Sequence, residues 1–209
     1  VELADAVRYA WQPGVEGGPA IAELLFGRDA NGAAVTPGGR LPISIPRTVG
    51  QVPIYYSRKN SGRPPRPNYD STGYIDLPIT PLFPFGYGLT YTTFHYSELQ
   101  VSPRWGLDGM GEFSAEVTNT GPAAATETVQ LYVRDLVGQV TRPVKELKGF
   151  QRVTLAPGES CRVHFHLRAA DLAFAGLDDL PIIEPGRYHA WIGPNSAAGL
   201  RGEFELAGE

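Results

Sequence analysis

The chain has a single cysteine, Cys161, among 209 residues, so no intrachain disulfide framework is available and the redox compartment stays open. A clustered basic face is missing too. The densest cationic run, "SRKNSGRPPR", sits among Pro and Gly as a loop would, and the net charge is −4. Phosphate neutralisation needs a Lys/Arg-rich face, so nucleic acid is excluded as the natural partner. No apolar run approaches the roughly 20 residues of a membrane-spanning helix, which argues against a membrane partner. There is neither an initiator Met nor a charged-then-apolar signal segment. The opening "VELADAVRYAWQPG" already reads as part of a folded element, and the expectation is that the earlier part of its domain lies elsewhere.

Regular periodicity is also absent from residues 46–80. That stretch has six prolines and no sustained repeat. Segments of this length without structure of their own are usually functional or disordered. Tyr55, Tyr56, Tyr69 and Tyr74 favour function, because disordered linkers are poor in aromatics.

What is present divides into zones. "ADAVRYAW" has the apolar density of a buried strand. "EGGPAIAELLFG" reads as a short helix, with Pro19 early, Ile21, Leu24 and Leu25 at helical spacing, and Gly27 as the C-cap. "GGRLPISIP" reads as a second strand, giving a strand-helix-strand unit of about 45 residues that needs a sheet to join. From Phe94 onward the pattern has period two. Phe113, Ala115 and Val117 share one face, as do Val129, Leu131 and Val133, with Gln130, Tyr132 and Arg134 opposite. Cys161, Val163, Phe165 and Leu167 form another inward set, with Cys161 a small core hydrophobe. "FHYSELQVS", "KELKGFQRVTL", "GRYHAWIG" and "RGEFELAG" bring the count to seven strands in about 115 residues, the size of an immunoglobulin or fibronectin type III sandwich. The lack of paired cysteines favours the fibronectin kind. The fold class is therefore mostly β, a fibronectin type III-like sandwich preceded by a partial α/β segment and a long loop. Between them, "TPLFPFGYGLTYTTF" carries Phe83, Phe85, Tyr87, Tyr91 and Phe94, too much aromatic surface to leave in water.

The ordered series "AWQPGVEGGPAIAELLFG", "PGGRLPISIPRTVGQVPIYY", "NSGRP", "PLFPFGYGLTYTTF" and "RPVKELKGFQRVTLAPGES…VHFHL…DLAF" closely resembles the C-terminal part of glycoside hydrolase family 3 enzymes of the bacterial periplasmic β-glucosidase type. The resemblance implies an α/β sandwich ending in residues 1–45, a connecting loop and aromatic junction over 46–93, and a fibronectin-like domain over 94–209. It implies an exo-acting, retaining hydrolase of terminal β-linked sugars, with no cofactor and no metal. The partners implied are an oligo- or aryl β-glycoside substrate and a companion chain holding the barrel and the rest of the sandwich. A periplasmic or secreted location goes with it. Within the aromatic stretch, the resemblance implies burial between the sandwich and fibronectin-like domains.

The family's nucleophile is an Asp in a Ser-Asp-Trp-like context. Here Trp11, Trp105 and Trp191 follow Ala10, Arg104 and Ala190, so the motif is absent, and the acid/base Glu would lie upstream. No catalytic residue is therefore expected in this chain, which alone should be inactive. Glu16 reads as favouring a helix start and Glu23 as a polar helix face. Asp70 and Asp76 read either as turn-formers or as substrate contacts. The loop residues Lys59, Asn60, Arg63, Tyr69, Tyr74 and Asp76 have the composition of a sugar subsite, in which rings stack on pyranose faces and forked donors bind hydroxyls. The alternative is that Arg63 pairs with a carboxylate of a neighbouring domain and the tyrosines pack the loop. Relatives often carry an Arg just before the position of Tyr74, where this chain has Thr72 and Gly73. His164 and His166 share a strand face with Arg162 and Arg168 and read as solvated rather than as metal ligands. "GPNSAAG" reads as a tight polar loop. The rival to the enzyme reading is a non-catalytic fibronectin-like module that binds carbohydrate or protein.

Overall fold

A computed structural model describes residues 3–61, 63 and 73–208. The chain divides into two compact units, Val1–Pro37 and Gly38–Glu209.

The first unit is built on helix α1, Gly17–Phe26. Pro19 fits its first turn, where an amide would lack a partner in any case. Gly27 ends it in the left-handed conformation, with its N–H directed to the carbonyl of Glu23. Glu16 stands at the N-cap without a side-chain hydrogen bond, so any help it gives the helix is electrostatic. After the helix, Asp29 Oδ1 accepts from the amides of Asn31 (2.9 Å) and Ala33 (2.8 Å), which folds the chain back into a bridge between Arg28 and Ala34. The expected strand at residues 4–11 makes no ladder among the described residues. A strand exists only through a neighbour to pair with, and here Arg8 Nη2 instead donates to the Leu24 carbonyl at 3.0 Å.

In the second unit, ten strands occur among the described residues: β1 Phe94–Val101, β2 Arg104–Gly106, β3 Met110–Asn119, β4 Ala125–Asp135, β5 Glu146–Leu155, β6 Ser160–Arg168, β7 Phe174–Ala175, β8 Pro181–Ile182, β9 Gly186–Asn195 and β10 Ala198–Ala207. They form a three-stranded sheet β1-β3-β6, a five-stranded sheet β2-β10-β9-β4-β5 and the small pair β7-β8. All seven expected strands are there, and β2, β7 and β8 are additional. Facing residues of the two large sheets make one core that includes Phe113, Val117, Val129, Leu131, Val163, Ile192 and Leu206. Its aromatic centre is Phe204, stacked with Trp105 at 4.6 Å and Tyr188 at 5.0 Å and met edge-on by Phe113 at 5.3 Å. Each fully buried side chain of this size contributes about 1.5–3 kcal/mol from area alone. Cys161 packs against this core, and burial pushes its thiol pKa up.

Strand β4 departs from simple alternation. Its outward residues Gln130 and Tyr132 are 3% and 0% exposed, because the aromatic segment 80–88 lies over that face. Phe85 stacks on Tyr56 (4.3 Å), and Tyr56 meets Tyr132 edge-on (5.7 Å). Gln130 Nε2 donates to the carbonyls of Gly86 (3.2 Å) and Pro194 (2.6 Å), while the Tyr132 hydroxyl donates to Gln130 Oε1 (2.5 Å). Gly86 has φ +80°, and a Cβ there would stand 2.1 Å from Gln130 Oε1. Only glycine meets both conditions.

The same segment is fastened from its other side by residues 41–45. Ile45 N–H bonds to the Phe83 carbonyl, Leu82 N–H to that of Ile45, Leu41 N–H to that of Tyr87 and Gly86 N–H to that of Leu41, at 2.8–2.9 Å. The expected strand "GGRLPISIP" is thus paired, but it bends at Pro42 and Ile43 and is reduced to one bridge, Ile45 with Phe83. Pro42, Pro46 and Pro84 remove the donors a continuous ladder would need.

Candidate functional site

The long loop after Pro46 is held by three attachments. Gln51, fully buried, accepts from the Arg47 amide at 2.5 Å and donates to the Pro78 carbonyl at 2.8 Å. Arg47 Nε adds a bond to the Thr80 carbonyl at 3.0 Å. Further along, Val144 N–H donates to the Arg58 carbonyl at 2.9 Å, and Lys59 bridges Pro143.

These attachments leave a cleft of about 180 Å³ between the loop, the start of β5 and the β9–β10 turn. Ile54, Tyr55, Tyr56, Pro81 and Pro84 give it apolar walls, while Ser44, Arg58, Thr80, Lys145 and Ser196 supply polar groups. Tyr56 is fixed by its stack on Phe85 and by accepting the Leu147 amide at 3.3 Å. Tyr55 is half exposed. Lys145 Nζ donates to the Ser196 carbonyl at 2.8 Å and lies over the rings of Trp191 (4.2 Å) and Tyr132 (5.5 Å). Burial disfavours its charge and brings its pKa down to about 8. Aromatic walls with convergent donors suit a small polyhydroxylated ligand.

The described residues among those expected as a sugar subsite lie on the same loop but are not among those lining this cleft. Lys59, which makes the bridge to Pro143, and Asn60 beside it are exposed. Arg63 is exposed and its amide bonds to Ser61 Oγ at 3.3 Å. Tyr74 and Asp76 are also exposed. Tyr69 and Asp70 lie outside the described residues. Sequence reasoning passed over Lys145 and Arg58, because Lys145 meets Trp191 and Ser196 only through the fold, across about fifty residues of chain.

Among the described residues two carboxylates are buried, Glu127 and Asp135, and each is paired with an arginine. Glu127 (side chain 3% exposed) receives Arg40 Nη2 at 2.5 Å and the Tyr96 hydroxyl at 2.8 Å. Burial pushes its pKa up, with Arg40 and Tyr96 opposing, and burial together with the Glu127 charge raises that of Tyr96. Asp135 Oδ1 accepts from the Val137 amide at 3.1 Å, while Oδ2 faces Arg142 Nε at 3.6 Å. Arg142 in turn reaches Glu146 at 2.8 Å and covers the Phe174 ring at 3.9 Å. Burial raises the Asp135 pKa as well. On the outer face of β6, His164 Nδ1 pairs with Glu112 at 2.7 Å and His166 is exposed.

Comparison with known proteins gives two matching domain descriptions. Residues 1–91 match the glycosyl hydrolase family 3 C-terminal domain, and residues 127–196 a fibronectin type III-like domain. The chain is 45% identical to a periplasmic beta-glucosidase of Salmonella typhimurium, over 98% of this chain and 26% of that protein. It is 39% identical to a putative beta-xylosidase of Formosa agariphila, over 98% of this chain and 26% of that one. A crystal structure of beta-glucosidase from Listeria innocua in complex with glucose superimposes with a TM-score of 0.88 at 32% identity, covering 96% of this chain and 28% of that chain. The chain thus spans about a quarter of the length of the relatives it matches.

Proposed function

We propose that this chain, which belongs to glycoside hydrolase family 3, is the C-terminal part of an exo-acting, retaining β-glycosidase, with β-glucosidase the favoured activity. The observation that carries the reading is the coincidence of two facts. The matched regions are a C-terminal and a fibronectin-like domain, and the buried carboxylates inside them, Glu127 and Asp135, face arginines that hold the fold together. Retaining hydrolysis needs a nucleophilic carboxylate and an acid/base carboxyl about 5–5.5 Å apart. In this reading both are contributed by the remainder of the enzyme, as a companion chain or a preceding part of the same one.

Residues 1–45 then complete an α/β sandwich domain, 46–93 connect, and 94–209 form the fibronectin-like domain. The loop residues Lys59, Asn60, Arg63, Tyr69, Tyr74 and Asp76 line the approach of the terminal sugar, and those of them that are described, all but Tyr69, are exposed. A periplasmic or secreted location is supported by the name of the Salmonella relative.

The test is an aryl β-glucoside assay of this chain, of the remainder and of the two together. Activity is expected only where the remainder is present. Robust turnover by the chain alone overturns the reading. The cleft with aromatic walls favours a second reading, a carbohydrate-binding module without catalysis. That reading requires the chain alone to bind a saccharide by calorimetry and the combined chains to show no hydrolysis.

A further inference from the structure

Lys145 differs from the other two lysines of the chain, Lys59 and Lys148. Lys59 is exposed, and Lys148 Nζ has the Glu146 carboxylate at 3.8 Å. Among the described residues no carboxylate lies within 4 Å of Lys145 Nζ. The amine is instead held by the Ser196 carbonyl and the Trp191 and Tyr132 rings, at the edge of the cleft described above. Lys145 lines a space of about 180 Å³ together with Ser44, Thr80 and Arg58, residues that carry hydroxyl and guanidinium groups.

We propose that Lys145 is a modification site, whose amine captures small hydroxyaldehydes, the open-chain form of aldoses, as an imine within this cleft. The free base is the reacting form. Its lone pair adds to the aldehyde carbon, the carbonyl electron pair passes to oxygen, and a proton moves from nitrogen to that oxygen. The resulting carbinolamine then expels water, so one amine and one aldehyde give one imine and one water. The walls formed by Tyr55, Tyr56, Pro81 and Pro84 accept the carbon chain, and the polar groups opposite accept its hydroxyls.

With its pKa brought down to about 8, Lys145 keeps a substantial free-base fraction near neutrality. An ordinary lysine at roughly 10.4 holds about 0.1% as free base at about pH 7.5, so the gain in reactive form is on the order of a hundredfold, offset in part by lower basicity. The ionisable groups facing Lys145 are Arg58, Tyr55, Tyr56 and Tyr132. None is a carboxylate that would restore the charge. The capture uses neither the hydrolytic carboxylates nor the exposed loop residues, so it stands or falls separately from the glycosidase reading.

The experiment treats the protein carrying this chain with glycolaldehyde and sodium cyanoborohydride, which reduces the imine to a stable secondary amine. Occupancy at Lys145, Lys59 and Lys148 is then read by peptide mass spectrometry over time. At about pH 7.5 Lys145 is expected to be labelled at least about tenfold faster than the other two. Its rate should rise with pH to a midpoint near 8, and urea should bring the three lysines to parity. Equal or slower labelling at Lys145 in the folded protein overturns the proposal. So does a preference that survives urea.

Discussion

Gly86→Ala should cost far more than an alanine at another left-handed glycine, and the comparison isolates what the aromatic segment contributes. Gly86 and Gly158 have nearly the same backbone, φ +80° and +77°. Around Gly158 a new Cβ would meet nothing within 4 Å, whereas at Gly86 it would meet Gln130 Oε1 at 2.1 Å and Cδ at 2.9 Å. Gly158→Ala therefore carries only the left-handed penalty, about 1–2 kcal/mol. Gly86→Ala carries that and also displaces Gln130. The displacement breaks bonds to the Gly86 and Pro194 carbonyls and strands the Tyr132 hydroxyl in a fully buried position. At the low end of about 1–3 kcal/mol for each buried group left unpaired, the total for Gly86→Ala is already at least about 4 kcal/mol. For a unit of this size each kcal/mol lowers Tm by about 2–4 °C, so Gly86→Ala should melt about 10 °C or more below the parent and Gly158→Ala only a few degrees. In a Gln130→Ala background the excess at Gly86 should vanish. If the two alanine variants melt within about 2 °C of each other, the reasoning about the segment is wrong.

Other outcomes follow from the same geometry. Arg40→Met should destabilise by about 3–5 kcal/mol by leaving Glu127 charged and unpaired in the interior, while Glu127→Gln costs less in the same urea titration. A chain beginning at Gly38 should be more stable than one beginning at Phe94, because the latter uncovers Gln130 and Tyr132; equal urea midpoints would count against the covered face. Lys145 has a depressed folded pKa, so its contribution is fully present only at high pH and is lost as pH falls through about 8. Stability in the parent should therefore climb between pH 8 and about 10, a slope that Lys145→Met should flatten when Tm is followed across that window. In the complete enzyme, Arg63→Ala should raise KM by an amount worth about 1–3 kcal/mol if the guanidinium binds a sugar hydroxyl. An unchanged KM with a lowered Tm would assign Arg63 to domain contact instead.

The sandwich was legible because its strands announce themselves locally. Phe113, Ala115 and Val117 alternate with polar neighbours, and a one-residue slip would expose all three. The helix was legible for the same kind of reason, with Pro19 and Gly27 at its ends. What local pattern did not show is where one part of the chain covers another. Gln130 and Tyr132 looked solvent-facing in sequence, and they are buried only because a segment more than forty residues away lies on them. The cleft lysine was hidden likewise, since "RPVKELKGF" reads as the entry to a strand and says nothing of Trp191. Two expected strands dissolved for separate causes: residues 4–11 have no neighbour to pair with among those described, and residues 39–46 have prolines where donors were needed.

That β4 is buried on both faces bears on how it tolerates change. On β6, exposed and buried positions alternate, so a deep mutational scan should show a two-residue rhythm, permissive at His164 and His166 and restrictive at Val163 and Phe165. On β4 the rhythm should disappear between Val129 and Val133, where five neighbouring positions all lack solvent. A library designer who randomises every second residue of the sandwich to recolour its surface would find that rule safe on β6 and ruinous on β4.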